Sequence, residues 1–373
     1  MPPLRRLAYD DPLVVLLAEA TGRLHRVAGI VRVLPNAHLL GAAATRWAAV
    51  VGMALEGEAV DVMDLLRFEA GGAGEMDAGR RRAARRACDY AAAVALGTGR
   101  LSGGRALDGN LLQAVGARMG GLAGERGGAD PGVDGSHGSV GPVGSDGSDG
   151  SVGSDGSDGG RRPPRPGRIE QLLRVLTDRT VPLLVRVAQA HRRLGPPTRR
   201  GRPERRLGPL LLPLALAGGR ILDHALLRLP VRFAADRDEY RALVTGADPT
   251  PWVRYFLECV RAQAVEDERW ALRLFQVQLS TRHRLGEHHA SRSALAAADV
   301  LLTTPYLSAS MLAPALGVSG PTARLAIEQL VERGELVEMS GRRRDRYYLA
   351  PAMFDEVYGQ LASAPSAARP EGG

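Results

Sequence analysis

Between residues 120 and 160 the chain almost stops carrying large apolar side chains. Gly, Ser and Asp dominate there, and VGSDGSDGS at 143–151 recurs as VGSDGSDGG at 152–160. Such a segment cannot bury enough apolar area to offset the entropy of ordering its backbone, so disorder is predicted. A calcium-binding nonapeptide roll would need stacked neighbours, which two copies do not supply. The basic linker RRPPRPGR follows at 161–168. Any core must therefore be built by the flanking stretches.

Both flanks read as helix. Leu13, Leu16, Leu17, Ala20 and Leu24 recur at helical spacing within residues 11–35, and a second helix is predicted from about His38 to Met53. Residues 168–192 return to the same spacing with Ile169, Leu172, Leu173, Leu176, Leu184 and Val187. Apolar residues make up 45% of the chain but aromatic ones only 4%, a balance that favours packed helices over sheet. The Arg- and Ala-rich run RRRAARRACDYAAAVAL at 80–96 is predicted as a helix with a solvated charged face.

The net charge of +8 is compatible with a polyanionic partner, and all of its basic side chains are Arg. Without Lys there is no Schiff base or Lys nucleophile. Cys88 and Cys259 fit no metal spacing and are predicted as buried thiols in a reducing cytosol. The N-terminus has acids before its short apolar run, so no signal peptide is expected. No apolar run reaches the about 18 residues of a membrane span.

The stretch from Ala188 to Leu214, AQAHRRLGPPTRRGRPERRLGPLLLPL, carries the functional information. It resembles the signature of the Fic (Fido) family, in which A-H-x-x-F-E-x-I leads into H-P-F-x-D-G-N-G-R-x-G-R and then L-L-I-P-L. Ala190-His191 match the lead-in and Leu210-Leu211-Leu212-Pro213-Leu214 the following helix, with no gap between them. That register puts Thr198 where the family has its catalytic His. Arg199 and Arg200 replace Pro and Phe, Arg202 replaces the acidic metal ligand, and Pro203-Glu204-Arg205 replaces Gly-Asn-Gly. Arg206 and Gly208 survive as the cofactor-binding positions, and Pro209 replaces the last Arg.

The resemblance implies a loop opening a helix, where backbone N–H groups hold phosphates. Thr198 cannot serve as a general base near neutral pH, and guanidinium at Arg202 has no lone pair for Mg²⁺. No catalytic or metal-ligating residue is therefore assigned. ATP and Mg²⁺ are expected only if the family activity, AMP transfer to a protein hydroxyl, survives through substitutes such as Glu204 or His191. The expected role of His191 is helix packing. Seven Arg between His191 and Leu207 leave a third option, electrostatic binding of phosphates or nucleic acid.

The match extends outward. Leu55-Glu56-Gly57 fits the family's I-E-G, and Val62-Met63-Asp64-Leu65-Leu66 the block after it. In members with a self-inhibitory helix this Glu pairs with the last Arg of the signature. Glu56 and Gly57 are thus inhibitory-like positions, although Gly52 stands in the Ser/Thr place and Pro209 removes the partner. Taken alone, Glu56-Gly57 would read as a helix-end carboxylate and a Gly C-cap. Arg237-Asp238-Glu239-Tyr240 and Trp252-Val253-Arg254-Tyr255-Phe256-Leu257 match two further family blocks. The family's target-positioning flap has no counterpart.

Residues 294–350 are predicted as a winged helix-turn-helix, which many proteins of this family carry at that place. Ser319 caps a recognition helix from Pro321 to Arg333, and SGRRRDR forms a basic wing tip between paired strands. The residues placed to meet DNA are Thr322, Arg324, Arg342, Arg343, Arg344 and Arg346, diluted by Glu328, Glu332, Glu335 and Asp345.

The expected chain is mainly α: a Fic/Fido helical core with N-terminal helices at 1–119, a disordered insertion and linker at 120–167, and the core carrying the degenerate motif at 168–290. A winged helix-turn-helix follows at 291–355 and a disordered tail at 356–373. It is read as a catalytically impaired cytoplasmic protein acting through DNA or a protein partner, with a homodimer open. The alternative is an active nucleotide-dependent protein adenylyltransferase.

Overall fold

A computed structural model describes residues 10–34, 37–119, 167–198, 203–222, 226–287, 289–342 and 345–363. The Gly/Ser/Asp-rich tract lies outside the described residues, as does the expectation of disorder attached to it. The molecule is mainly α.

Helix α1 (Asp11–Val33) starts where Asp10 accepts a hydrogen bond from the Leu13 amide at 2.9 Å, with Pro12 in the first turn. Its buried stripe is the one its spacing predicts: Leu13, Leu16, Ala20, Leu24, Val27 and Val31. After α2 (Ala37–Leu55) and α3 (Val62–Glu69) comes α4 (Ala78–Ser102). Small residues let α4 pack closely. A Cβ on Gly97 would lie 2.3 Å from the Leu214 side chain, which would have to shift to admit it. Helix α5 (Gly109–Arg118) closes the N-terminal part.

Beyond the tract come α6 (Arg168–Thr177) and α7 (Leu183–Leu194), a 3-10 turn over Pro203–Leu210, and α8 (Leu211–Gly218). Two short helices, α9 (Pro230–Ala235) and α10 (Arg237–Thr245), lead to α11 (Pro249–Glu287). At 39 residues α11 is about 58 Å long and is the spine of the molecule. Trp252, Phe256, Val260, Ala264, Trp270 and Leu274 line its buried side, against which α1 and α7 pack.

The C-terminal residues form α12 (Arg292–Leu301), β1 (Tyr306–Ser308), α13 (Ala309–Leu316), α14 (Gly320–Glu332), β2 (Val337–Glu338), β3 (Tyr347–Leu349) and α15 (Pro351–Ser363). The strands make one antiparallel sheet in the order β1-β3-β2, with Ser308 opposite Tyr347 and Glu338 opposite Tyr348. Ser319 caps α14 through the Thr322 amide, and Tyr306 stacks on Tyr347 at 5.4 Å.

Helix α15 corrects the expected disordered tail over residues 356–363, and residues 364–373 lie outside the described residues. Val357 and Tyr358 are fully buried, and Trp47 on α2 donates its indole N–H to the Val357 carbonyl. Their apolar side chains are few and short-spaced, so an Ala/Ser/Pro-rich ending hid them. The tail returns to the core and ties the C-terminal elements to it. Arg46 reinforces this joint, its guanidinium meeting Glu69 at 2.7 Å and the Thr303 carbonyl at 2.6 Å. Tyr347 donates to the Ala70 carbonyl at 3.0 Å.

Candidate functional site

Helix α7 carries His191 on its inner face, and Gly195 ends the helix with a φ of +74°. Thr198 follows, half-buried in irregular chain. Arg199, Arg200 and Arg202 lie outside the described residues. The chain resumes in the 3-10 turn that carries Glu204, Arg205 and Arg206.

His191 is 1% exposed, and its Nε2 lies 2.8 Å from the Tyr240 hydroxyl. Its ring sits 5.3 Å from those of both Phe233 and Trp252. Burial lowers its pKa to about 4, only partly offset by a backbone hydrogen bond from the ring to Gly208. The imidazole is therefore neutral at pH 7 and sealed from any reactant. It packs helices, as its place in the motif suggested.

Gly208, expected as a cofactor-binding position, lies against the His191 ring. It is buried, and a Cβ there would lie 3.3 Å from the His191 ring. Its lack of a side chain leaves room for the imidazole.

Arg206 is engaged as well. Its Nε lies 3.1 Å from the Glu56 carboxylate, whose side chain is 3% exposed. The same oxygen accepts from Arg86 Nη2 at 2.8 Å, and Arg86 also pairs with Glu58. Two expectations are corrected here. Glu56 keeps an arginine partner despite Pro209, because Arg206 and Arg86 supply it. The Arg run of α4 is likewise not wholly solvated, since Arg86 turns inward while Arg81, Arg82 and Arg85 stay exposed. Burial pushes the Glu56 carboxyl up, and Arg206 and then Arg86 pull it back down. Gly57 follows at φ +88° and stops α2, while Arg237 donates to the freed Leu55 carbonyl at 2.9 Å. The helix-end reading of Glu56-Gly57 thus holds together with the pairing.

Glu204 Oε2 and Arg205 Nε are buried without a hydrogen-bond partner among the described residues. Burial raises the thiols of Cys88 and Cys259 to about 12, which leaves both protonated and unreactive. No described helix is long and apolar enough to cross a membrane. Among the described residues no cluster of three or more His, Cys, Asp or Glu is placed to hold a metal ion.

In the C-terminal elements Arg324 is exposed on α14, while Thr322 is half-buried with its hydroxyl 2.8 Å from that of Ser319. Arg346 reaches Glu338 at 3.4 Å and the Arg342 carbonyl at 2.9 Å. Arg343 and Arg344 lie outside the described residues. Between α14 and the hairpin lies a groove of about 710 Å³ lined by Arg324 and Arg346 but also by Glu328 and Asp345. Residues 291–355 hold seven arginines and seven acidic residues.

Sequence reasoning missed one buried centre altogether. Arg228, 4% exposed, donates to Asp267 at 2.6 Å from Nε and 3.0 Å from its amide, and its guanidinium lies between Trp47 and Trp270 at 4.7 and 4.2 Å. The signal was an acid within the apolar stripe of α11, flanked by Ala264 and Trp270.

No protein-family model matches this chain, and neither does any curated protein. Among solved structures it is similar to a Fic family protein from Desulfovibrio desulfuricans G20, with 18% identity and a TM-score of 0.48. The alignment covers 94% of this chain and 98% of that one.

Proposed function

We propose that this chain is a Fic/Fido-domain protein whose transferase chemistry is impaired. In this reading it works in the cytosol as a regulatory or interaction protein through a winged helix-turn-helix at 291–355. The observation that carries the reading is the occupancy of the signature arginine: Arg206, which the family resemblance assigns to the nucleotide, spends its charge on a buried Glu56 that Arg86 also holds. The absence of a base at Thr198 and the enclosure of His191 support it. For the C-terminal module, the helix order and the β1-β3-β2 sheet support a winged helix. Its balance of charge favours a protein partner over a phosphate-driven DNA contact.

Isothermal titration of Mg-ATP tests the proposal, with Arg206→Ala as control. The expected result is no nucleotide binding that depends on Arg206, so that any heat from Mg-ATP is the same in wild type and in the variant. Micromolar binding lost in the variant overturns it. For the module, selection of DNA by the full chain should return no consensus, and an enriched site lost in Arg324→Ala would assign DNA instead.

A second reading rests on the same contact. Self-inhibited members of the family hold this Glu against the last signature arginine; here Arg206 takes that place, so Glu56→Gly would free Arg206 in a latent adenylyltransferase. Transfer of label from ATP to protein by that variant alone would establish this reading.

A further inference from the structure

Helices α1, α9 and α11 border an open cavity of about 800 Å³ that the described signature residues do not line. Four arginines converge on it from three helices: Arg23 and Arg26 of α1, Arg232 of α9 and Arg261 of α11, with Glu19 and Glu266 as the acids. We infer that this cavity is a binding site for a small polyphosphate group, separate from the signature loop.

The state of the four guanidinium groups is the basis for this. Among the described residues Arg23 has neither a hydrogen bond nor an ion pair, although it stands on a cavity wall. Arg232 uses its Nε on Gln263 at 3.2 Å, a neutral partner, and its terminal N–H groups have none among the described residues. Arg26 and Arg261 are each spanned to the opposite helix, to Glu268 at 2.8 Å and to Glu19 at 2.5 Å. These pairs orient the forks across the groove; Arg261–Glu19 is exposed on both sides and Arg26–Glu268 on the arginine side, and exposed pairs contribute little and exchange readily. Glu266 is partly neutralised by Arg269 at 3.2 Å.

A fork with five donors and no acceptor matches a phosphate oxygen face, and several forks on one cavity favour a ligand with several phosphate charges over a lone carboxylate. The size lies within the usual range for small-ligand sites. Gly22 sits on the wall with nothing within 4 Å of the position a Cβ would take, so the backbone there is open to the ligand.

The test is calorimetric titration of inorganic tripolyphosphate into the full chain at low salt, in wild type and in Arg206→Ala, Arg23→Glu and Arg232→Gln. Saturable binding of one tripolyphosphate is expected, unchanged in Arg206→Ala and weakened at least about tenfold in Arg23→Glu. Because Arg23 has no partner among the described residues, its substitution leaves the fold intact, which thermal melting checks; Arg232→Gln is the second, independent loss. ATP binding no tighter than tripolyphosphate assigns recognition to the phosphates alone, and tighter ATP binding, with adenosine inert, assigns a nucleotide. No saturable binding, or binding that survives Arg23→Glu, overturns the inference. Loss in Arg206→Ala with retention in Arg23→Glu overturns it too and moves the ligand to the signature loop, so the two sites are separated by the same experiment.

Discussion

Asp267 and Glu56 are both buried carboxylates met by arginine, and they are met in different ways. Asp267 is 1% exposed and receives three donors: Arg228 Nε, the Arg228 amide and Gln263 Nε2 at 2.9 Å. Its arginine is equally buried, between two indole faces. Glu56 is as buried, but its arginines are 17% and 24% exposed and come from the signature turn and from α4. One pair is closed on both sides and belongs to the core. The other is closed on the acid side only, so its cations can turn to water.

The largest effect expected is therefore at Asp267. Asp267→Ala strands the Arg228 charge in the interior and should cost about 3–5 kcal/mol of stability, read from the midpoint of chemical denaturation. Acid should not rescue the variant, because the stranded Arg228 guanidinium stays charged at every accessible pH. A loss below about 1 kcal/mol would mean that water reaches Arg228, and the contrast with Glu56 would fail.

Glu56→Ala should cost less, about 1–3 kcal/mol, because Arg206 and Arg86 recover hydration once the carboxylate is gone. A double-mutant cycle with Arg206→Ala separates the pair from the burial cost. A loss equal to that of Asp267→Ala would make both centres structural and remove the reason to regard Arg206 as exchangeable.

How far each centre could be read in advance follows from the same contrast. Glu56 stood out because Glu56-Gly57 is a short pattern at a helix end, and Arg206 because it sits in a motif. Their meeting was not legible, since the motif's own logic assigned Glu56 to the position now held by Pro209. Arg86 was hidden in a run of arginines, where only the three-dimensional turn of α4 distinguishes the inward one from its neighbours. Asp267 had only a weak signal, one acid in an apolar stripe, and nothing local pointed to its partners, with Arg228 39 residues upstream and Trp47 on another helix. The helices themselves were readable, because Leu, Ala and Val at 3.6 spacing fix them locally. Helix α15 was not, because what orders it is long-range contact with α2.

His191 sets a smaller and pH-dependent test of the interior around the signature. Its pKa is lowered from 6.5 to about 4, so the unfolded chain binds a proton that the folded chain excludes. The stability this contributes is full above pH 6.5 and is lost as pH falls toward 4. Between pH 7 and pH 5 it amounts to about 2 kcal/mol. Burial raises the folded pKa of Glu56 and Asp267, which acts in the opposite direction, so the comparison must be with His191→Gln. Denaturation midpoints of wild type should fall more steeply over that range than those of the variant. Parallel curves would mean that the imidazole is reached by solvent and is available for chemistry.

Gly57 gives the smallest effect and the sharpest division between a structural and a ligand-facing reading of the Glu56 end. At φ +88° an Ala pays for a left-handed backbone, about 1 kcal/mol. Space is not the cause, since a Cβ there would lie 3.5 Å from Arg237 Nη2, an ordinary contact. Gly57→Asn should then recover part of the loss, because Asn tolerates that region better than Ala. If the residue is only the stop of α2, both variants lose stability in that order and leave any binding of nucleotide or polyphosphate untouched. If instead the bare backbone at 57 faces a ligand, Ala and Asn would weaken binding alike while their stabilities still differ. Thermal melts with and without Mg-ATP, on the two variants in an Arg23→Glu background that removes binding at the α1/α9/α11 cavity, distinguish these outcomes: a ligand-induced shift of the same size with Gly57, Ala and Asn at this position assigns Gly57 to the helix end alone.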